Sequence, residues 1–339
     1  MKKSILLTGG AGYIGSHTAH LLVEQGYHVV ILDSFVQHQA FNPLWATVIR
    51  GDFADQKILT TIFKNHSIHA VMHFAAFIEV GESVTRPADF YENNVGKVFQ
   101  LLRLMLEHGI NKFVFSSSCA VYGNPVRTPM DETHPTVPVS PYGRNKLMVE
   151  WALQDYAAAY DLRYVSLRYF NAAGALPEVS LGEHHQPETH LIPRLLHAIA
   201  YDEPVTIFGN DYNTPDGTCL RDYIHVADIA QAHALALSYL NNGQLSDVFN
   251  LGTGCGYTVQ QVIDAAQCLC NKKAKVYIQA RRAGDAEILL ADPTKIKKVL
   301  GWKPKYSDLS TILSSALAWE KIRISASTTE PVHAKREVV

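Results

Sequence analysis

The sequence predicts an α/β fold, with a Rossmann-type doubly wound parallel sheet followed by a smaller α/β domain toward the C-terminus. Short apolar segments alternate with helical ones through residue 170, an order typical of a parallel sheet covered by helices. A glycine-rich turn separates the first apolar segment from the first helical one. Both features predict that the chain crosses one sheet repeatedly in the same direction.

The first element is predicted to be a buried strand over residues 5–8, which are apolar on both faces. Three glycines follow in a G-x-x-G-x-x-G spacing: Gly9, Gly12 and Gly15. A helix over 16–25 comes next and ends at Gly26. This order predicts a dinucleotide site, because glycines let the backbone approach a pyrophosphate that rests on the helix N-terminus.

An acidic residue, Asp33, ends the second predicted strand, which covers residues 29–32. It lies about twenty residues past the glycines, as the dinucleotide fingerprint requires. Its carboxylate can accept hydrogen bonds from the hydroxyls of an adenosine ribose, and its charge disfavours a 2′-phosphate. We therefore predict NAD as the cofactor rather than NADP. A glycine-rich turn without a ligand is the alternative.

The following elements continue the alternation up to residue 170. They are strands over 47–50, 70–74, 112–116 and 163–168, and helices over 95–108 and 142–160. In a doubly wound sheet, ligands bind at the carboxyl ends of the strands. Asp52, Phe74, Ser118 and Tyr169 fall at those ends or just beyond them, so we expect their side chains to converge.

The pattern loosens after Asn171, and this change predicts a second domain. Its recognisable segments are helices over 192–201 and 227–240 and a strand over 248–251 that returns to the large sheet. The predicted division assigns residues 1–171 and a returning segment of about 218–252 to the NAD-binding domain, about 172–217 and 253–322 to a substrate-binding domain, and 323–339 to a disordered tail. The tail prediction rests on a polar, aperiodic composition.

Tyr142 and Lys146 are four positions apart in S-P-Y-G-R-N-K, and a serine run upstream ends at Ser118. Residues at this separation lie on the same face of a helix. A nearby ammonium favours the phenolate, so we expect the pKa of Tyr142 to fall toward neutrality and the residue to act as a general base. On an exposed helix this spacing commonly has no function, but here it follows a dinucleotide fingerprint.

The composition argues against several classes of function. The chain has 339 residues and a net charge of −2, which gives no support for binding to nucleic acid or to a membrane surface. The cysteines form no zinc-type or disulfide pattern, and neither a membrane span nor a signal peptide is recognisable. We therefore expect a cytoplasmic protein. Most of the sixteen histidines, including His184 and His185, are interpreted as solvated loop residues without an acidic cluster, so no metal site is predicted.

Longer motifs carry a resemblance that covers nearly the whole chain. In the first half they are T-G-G-A-G-Y-I-G-S-H (8–17), H-F-A-A (73–76), V-G-E-S-V (80–84), E-N-N-V (92–95), F-S-S-S-C-A-V-Y-G (115–123), S-P-Y-G-R-N-K (140–146) and R-Y-F-N-A-A-G-A (168–175). In the second half they are I-F-G-N-D-Y (207–212), D-G-T-C-L-R-D-Y-I-H-V-A-D (216–228) and R-R-A-G-D (281–285). In these motifs the chain resembles the extended short-chain dehydrogenase/reductases and, within them, the UDP-glucose 4-epimerase family.

The resemblance implies an NAD-dependent isomerase that interconverts UDP-glucose and UDP-galactose through a 4-keto intermediate, as a homodimer paired through helices such as 95–108 and 146–160. The implied catalytic residues are Ser118, Tyr142 and Lys146. The implied cofactor contacts are Gly9, Gly12, Tyr13, Ile14, Gly15, Asp33, Asp52, Phe53, Phe74, Ala75, Ala76, Asn93, Lys146 and Phe170. The implied contacts to the UDP-sugar are Ser118, Asn171, Leu191, Phe208, Arg221, Tyr223, Arg282 and Asp285.

Two positions depart from the family pattern. Ile78 stands where some members carry a lysine that reaches the cofactor ribose, and Leu289 aligns with the residue that gates the sugar. Leucine is intermediate in size, so UDP-pentoses and UDP-N-acetylhexosamines stay open as substrates. A nucleotide-sugar 4,6-dehydratase is disfavoured, because Cys119 and Ala120 stand where that enzyme needs an acid pair. A non-catalytic NAD-binding module is the remaining alternative.

Overall fold

The computed structural model describes residues 3–36, 43–185, 187–282 and 285–329. In this part the strands, numbered in chain order, are β1 Ser4–Thr8, β2 His28–Asp33, β3 Thr47–Arg50, β4 Ile68–His73, β5 Lys112–Ser118, β6 Arg163–Tyr169, β7 Asn171–Ala173, β8 Pro204–Phe208, β9 Leu220–His225, β10 Asp247–Leu251, β11 Gly256–Thr258, β12 Lys275–Gln279 and β13 Ile288–Leu289. The α-helices are α1 Tyr13–Glu24, α2 Gln56–His66, α3 Val80–Thr85, α4 Pro87–Tyr91, α5 Lys97–Glu107, α6 Pro141–Tyr160, α7 Leu191–Tyr201, α8 Val226–Asn241, α9 Val259–Cys270, α10 Thr294–Leu300 and α11 Leu309–Thr329. Among these helices, none combines the length and the apolar character needed to cross a bilayer.

Seven parallel strands form the large sheet, in the spatial order β10-β6-β5-β4-β1-β2-β3. The strand order reverses between β1 and β4, and such a reversal is where open α/β sheets bind ligands. Ile5 and Leu7 join a core shared with α1 and α8, whereas Leu6 joins a core shared with α2, α5 and α6. Helices therefore cover both faces, which confirms the predicted doubly wound α/β class.

The smaller unit contains two further sheets. One has the order β11-β9-β13 with β7 also paired to β9, and the other pairs β8 with β12. Helices α7, α9 and α11 bury Leu195, Val262 and Ile312 in a third core. Several of these strands escaped the sequence argument because they are too short to show a period: β7 and β11 have three residues each, and β13 has two.

The predicted return to the large sheet is confirmed, because β10 pairs with β6 along its whole length. Strand β9, however, lies inside the predicted returning segment 218–252 and yet belongs to the smaller sheet. The reason is that β7, which follows β6 directly, leaves the large sheet and takes β9 as its parallel partner. The return therefore begins with α8 rather than near residue 218.

The C-terminal helix corrects the tail prediction. Helix α11 continues through Thr329, so a disordered tail is wrong for residues 323–329, while 330–339 lie outside the described residues. Two contacts hold this helix: Trp319 Nε1 donates to Glu183 O at 2.8 Å, and Glu320 Oε1 lies 3.0 Å from His197 Nδ1 of α7. Such contacts with distant parts of the chain leave no hydrophobic period in the sequence.

Candidate active site

The glycine-rich turn between β1 and α1 lies at the carboxyl edge of the large sheet. Gly9 has a φ of +70°, and a Cβ there would lie 2.4 Å from the backbone N of Ala75, just past β4. A Cβ on Gly15 would lie 2.5 Å from Gly9 O. Both positions therefore require glycine, because the turn packs against the end of β4 and against its own helix.

The start of α1 is suited to an anion. Its N-cap residue, Gly12, makes no side-chain capping bond, and the first turn holds no acidic residue, so its N–H groups are available to a phosphate. Beside this turn, Asp33 is 5% exposed and accepts hydrogen bonds from the N–H groups of Ala11 at 3.1 Å and Phe35 at 2.9 Å. A fixed carboxylate next to a free helix N-terminus fits NAD.

Other predicted cofactor residues surround the same turn. The Tyr13 hydroxyl donates to Gly174 O at 2.6 Å, which ties the turn to the first loop of the smaller unit. Ile14 packs against the core that contains α1 and α8. Asp52, beyond β3, pairs with Lys97 Nζ at 2.5 Å. The glycine turn follows β1 and Asp52 follows β3, so both lie at the carboxyl edge of the large sheet.

The segment after β4 is fixed by an asparagine that the sequence argument did not single out. Asn94, in a π-helical turn over Glu92–Gly96, accepts from Phe77 N and donates to Phe77 O, both at 2.9 Å. Its neighbour Asn93 donates to Asn94 Oδ1 at 3.0 Å. These bonds fix Phe77, while the N–H groups of Phe74 and Ala75 donate to Thr8 O at 2.8 and 3.0 Å and so hold this segment beside the glycine turn. The signal available in the sequence was the pair of consecutive asparagines.

Two predicted cofactor residues have buried rings. Phe53 is 6% exposed, and its ring centroid lies 4.9 Å from that of His73. Phe170 is 7% exposed and belongs to the core that contains α1 and α8. Each ring packs inside the protein and leaves little surface for a ligand.

Ser118, Tyr142 and Lys146 come together at the carboxyl end of β5. Helix α6 places Lys146 one turn after Tyr142. The Lys146 ammonium donates to Ser116 O at 2.8 Å and lies 5.7 Å from the centre of the Tyr142 ring. The Ser118 side chain acts to lower the pKa of the Tyr142 phenol. A phenol, a hydroxyl and an ammonium therefore share one pocket wall.

Burial changes the pKa values of Tyr142 and Lys146, and for Tyr142 the change is opposite to the predicted one. Burial raises the pKa of Tyr142 to about 12, although the Ser118 side chain opposes the rise. Burial also lowers the pKa of Lys146 to about 7, against the influence of the Glu150 charge. The expected fall in the pKa of Tyr142 is therefore wrong for the protein by itself, because desolvation of a phenolate outweighs the ammonium at this separation.

A buried ion pair lies one turn further along α6. Glu150 is fully buried and Arg168 is 6% exposed; Arg168 Nε donates to Glu150 Oε1 at 2.9 Å, and Ser117 Oγ donates to the same oxygen at 2.5 Å. The sequence argument missed this pair. The available signal was a glutamate four positions beyond Lys146, on the same helix face.

Four predicted substrate residues form one group in the smaller unit. Arg282 Nε lies 3.1 Å from Asp285 Oδ2, and Arg221 Nη2 lies 3.9 Å from Asp285 Oδ1. The Arg282 guanidinium lies 4.5 Å from the centre of the Phe208 ring. Two guanidiniums around one carboxylate leave a net positive charge, which suits a diphosphate.

The remaining predicted substrate residues lie on adjoining elements. Asn171 of β7 is paired with Tyr223 of β9, and Leu289 of β13 is paired with Arg221. Leu191 begins α7 and packs against the third core; its described contacts are with that core rather than with the arginines. The structure therefore brings the sugar-gating candidate Leu289 beside the arginine group, but it does not join Leu191 to it.

One histidine interpretation needs correction. His185 is not a solvated loop residue without acidic neighbours, because its side chain is 14% exposed and its Nδ1 lies 3.2 Å from Glu183 Oε1. Burial acts to lower the pKa of His185, but Glu183 and Glu188 outweigh it and raise the pKa to about 9. The acids were present in the sequence, but their approach depends on how the loop folds.

A family model for the NAD dependent epimerase/dehydratase family matches residues 5–252. The chain belongs to this family. Its relatives include the UDP-glucose 4-epimerase of Halalkalibacterium halodurans, which is 48% identical over 96% of this chain and 98% of the relative. The UDP-glucose 4-epimerase of Rhizobium meliloti is also 48% identical, over 94% and 98% of the two chains. Membership confirms both the predicted resemblance and the predicted cofactor, NAD.

Solved structures of the family share this fold over nearly the whole chain. UDP-glucose 4-epimerase from Brucella ovis in complex with NAD has a TM-score of 0.90 and 46% identity, covering 93% of this chain and 97% of that one. UDP-glucose-4-epimerase from Stenotrophomonas maltophila, with bound NAD and formylated UDP-arabinopyranose, has a TM-score of 0.92 and 38% identity over 96% and 99%. The family fold therefore extends through the smaller unit and beyond the part that the family model matches.

Proposed function

We propose that the chain is a UDP-glucose 4-epimerase that interconverts UDP-glucose and UDP-galactose with tightly held NAD. The observation that carries the proposal is the group of Ser118, Tyr142 and Lys146 beside a glycine turn suited to a dinucleotide. A two-arginine group in the smaller unit adds a site for a diphosphate. Relatives named UDP-glucose 4-epimerase, 48% identical to this chain, support the same activity.

In this proposal NAD supplies, when bound, a hydride acceptor and donor and the positive charge of its nicotinamide. Tyr142 removes the proton from the 4-hydroxyl of the sugar and later returns it. Its pKa of about 12 in the protein alone means that a second cation beside the ring is needed for this role. Ser118 hydrogen-bonds the same sugar oxygen. Lys146, fixed by Ser116 O at 2.8 Å, holds the cofactor ribose and adds positive charge.

Epimerisation requires that the 4-keto sugar present both faces to the cofactor, so the protein should grip UDP strongly and the hexose weakly. We assign the diphosphate to Arg221 and Arg282, whose guanidiniums flank Asp285. The other proposed contacts to the UDP-sugar are Asn171, Leu191, Phe208 and Tyr223. For Leu191 the proposal rests on the resemblance alone.

The proposed cofactor contacts follow the edge of the large sheet. They are Gly9, Gly12, Tyr13, Ile14, Gly15, Asp33, Asp52, Phe53, Phe74, Ala75, Ala76, Asn93, Lys146 and Phe170. We propose that residues 1–171 and the return from α8 through 252 bind NAD. Residues from 172 to the end of β9 and from 253 to 322 would hold the UDP-sugar.

We further propose a homodimer that acts in galactose metabolism in the cytoplasm. Trp151 on α6 is 54% exposed, and an exposed tryptophan on a long helix is a candidate interface residue. The cysteines in the described chain are unpaired, in agreement with a reducing compartment. Light scattering should give twice the mass of the chain, and Trp151→Glu should shift it toward the monomer. A monomeric wild type contradicts the dimer.

The activity is tested by incubating the purified chain with UDP-galactose and no added NAD. An epimerase with retained cofactor forms UDP-glucose, a 4,6-dehydratase forms a dehydrated keto sugar, and a binding module forms nothing. If NAD is lost during purification, its addition should restore conversion. UDP-N-acetylglucosamine and UDP-xylose, assayed in parallel, define the sugar range beside Leu289. No UDP-glucose from protein with demonstrably bound NAD would rule out the proposed function.

A further inference from the structure

Two histidines and two glutamates converge in the loop before α7, outside the group of Ser118, Tyr142 and Lys146. We call Glu183, His185, Glu188 and His190 the His–Glu cluster. One ligand atom from each lies within 4.8 Å of the others. The closest pairs are His190 Nδ1 to Glu183 Oε1 at 2.7 Å, and His185 Nδ1 to Glu183 Oε1 and His190 Nδ1 to Glu188 Oε1, both at 3.2 Å. Four side chains of the types that bind metals therefore share one small volume.

The spacing in the cluster is compatible with the ligands of one ion. His185 Nδ1 and Glu188 Oε2 are buried, and neither makes a hydrogen bond of good geometry. Their contacts are ionic: His185 Nδ1 lies 3.2 Å from Glu183 Oε1 and 3.7 Å from Glu188 Oε2. In a tetrahedral zinc site with bonds of about 2.0–2.2 Å, ligand atoms lie about 3.4 Å from one another. The four His–Glu contacts of 2.7–3.7 Å lie on both sides of that value, and all four ligand atoms lie within 4.8 Å of one another.

We propose that the His–Glu cluster binds one divalent transition-metal ion, with zinc the best match. Two carboxylates offset the charge of a divalent ion, and two neutral imidazoles complete four ligands. Imidazole nitrogen favours zinc over magnesium and calcium, which prefer oxygen ligands only. Glu183 is 8% exposed and forms the inner wall, whereas His190 is 44% exposed and leaves a path for the ion to enter.

The position of the cluster assigns the ion a structural role. Glu183 O accepts a hydrogen bond from Trp319 Nε1 of α11 at 2.8 Å, and His190 directly precedes α7. Four protein ligands fill a tetrahedral shell and leave no open position for substrate. The ion would fasten this loop to α11 and α7.

The competing explanation is a pair of histidinium–glutamate ion pairs with no metal. It accounts for the short distances from Glu183 to His190 and His185, but it leaves Glu188 Oε2 buried without a hydrogen bond, 3.7 Å from His185 Nδ1. The two explanations differ in whether the protein binds a zinc ion that is added to it. This inference does not depend on the proposed epimerase activity.

The test uses the untagged full-length chain, treated with a chelator and then exchanged into metal-free buffer. Zinc chloride alone is titrated in equilibrium dialysis, with bound metal measured by mass spectrometry and the melting temperature followed in parallel. We expect one zinc ion per chain and a rise in melting temperature on the order of 5 °C at a hundredfold excess over Kd. Magnesium and calcium should bind roughly 100-fold or more weakly.

Two ligand variants and one matched control complete the test. His185→Gln and His190→Gln should each weaken zinc binding by roughly 100-fold or more, whereas His184→Gln, in the same loop but outside the cluster, should bind like wild type. Circular dichroism confirms that each variant folds. The proposal is overturned by a wild type without a saturable zinc site, which leaves ion pairs only. It is equally overturned by undiminished binding in His185→Gln, which would place the metal at cysteines or elsewhere, or by equal affinity for magnesium.

Discussion

Replacing Lys146 with methionine should make the protein more stable near neutral pH while removing its proposed catalytic role. Lys146 is 5% exposed, and burial lowers its pKa from 10.5 to about 7. Between about pH 7 and pH 10.5, Lys146 is largely neutral in the folded protein but charged in the unfolded chain, so the unfolded state binds more protons. Stability therefore rises with pH across this window, and the cost of Lys146 is fully present below pH 7.

The size of the effect follows from the same numbers. At about 1.4 kcal/mol per pH unit, the shift from 10.5 to about 7 corresponds to a cost on the order of 4 kcal/mol at pH 7. Methionine loses the hydrogen bond to Ser116 O and leaves that carbonyl without its partner, a loss of about 2 kcal/mol. Lys146→Met should thus unfold with a free energy about 2 kcal/mol above wild type at pH 7 and below wild type near pH 10.

Urea unfolding of the NAD-free protein at pH 7, 8.5 and 10 measures this crossover. Lys64→Met, at an exposed position of α2, is the control and should show the same difference from wild type at every pH. Turnover of UDP-galactose should fall strongly in Lys146→Met alone. If the stability difference between Lys146→Met and wild type is the same at pH 7 and pH 10, burial does not suppress the ammonium and the reasoning fails.

Four further substitutions test the site and its support. Tyr142→Phe should lower kcat by about 10²–10⁴-fold while NAD stays bound, and near-normal turnover would remove the general-base assignment. Arg221→Met should raise KM by about 10–100-fold, from the loss of roughly 1.5–3 kcal/mol of charged hydrogen bonding, with kcat retained. Arg282→Met should do less, since its side chain is 60% exposed, and the reverse order would contradict the assignment. Glu150→Gln should cost about 3–5 kcal/mol in urea unfolding because it leaves Arg168 buried without its counter-charge; a loss below about 1 kcal/mol would contradict that explanation.

Sequence reasoning succeeded where the signal is local. The strands of the large sheet are short apolar runs, and the glycine turn needs residues without a Cβ because Gly9 has a φ of +70°. Sequence reasoning failed in the smaller unit. There β12 is largely exposed, and β9 pairs with β7 rather than with a strand of the large sheet. Pairing between strands distant in sequence leaves no periodicity to read.

The same contrast applies to the site. The four-residue spacing of Tyr142 and Lys146 places them on one helix face by geometry alone, and the family motifs named the arginines in advance. The pKa values of Tyr142 and Lys146 could not be predicted from this spacing. Burial raises the first and lowers the second, and this burial is produced by other elements that pack around them.

Residue order alone therefore determined the α/β class, the dinucleotide turn and the identity of the candidate catalytic side chains. Only the tertiary structure decided which sheet received β9, how Glu150 and Arg168 neutralise each other, and that two histidines and two glutamates of one loop face one another. Desolvation and charge pairing depend on distances between residues that the chain order does not constrain.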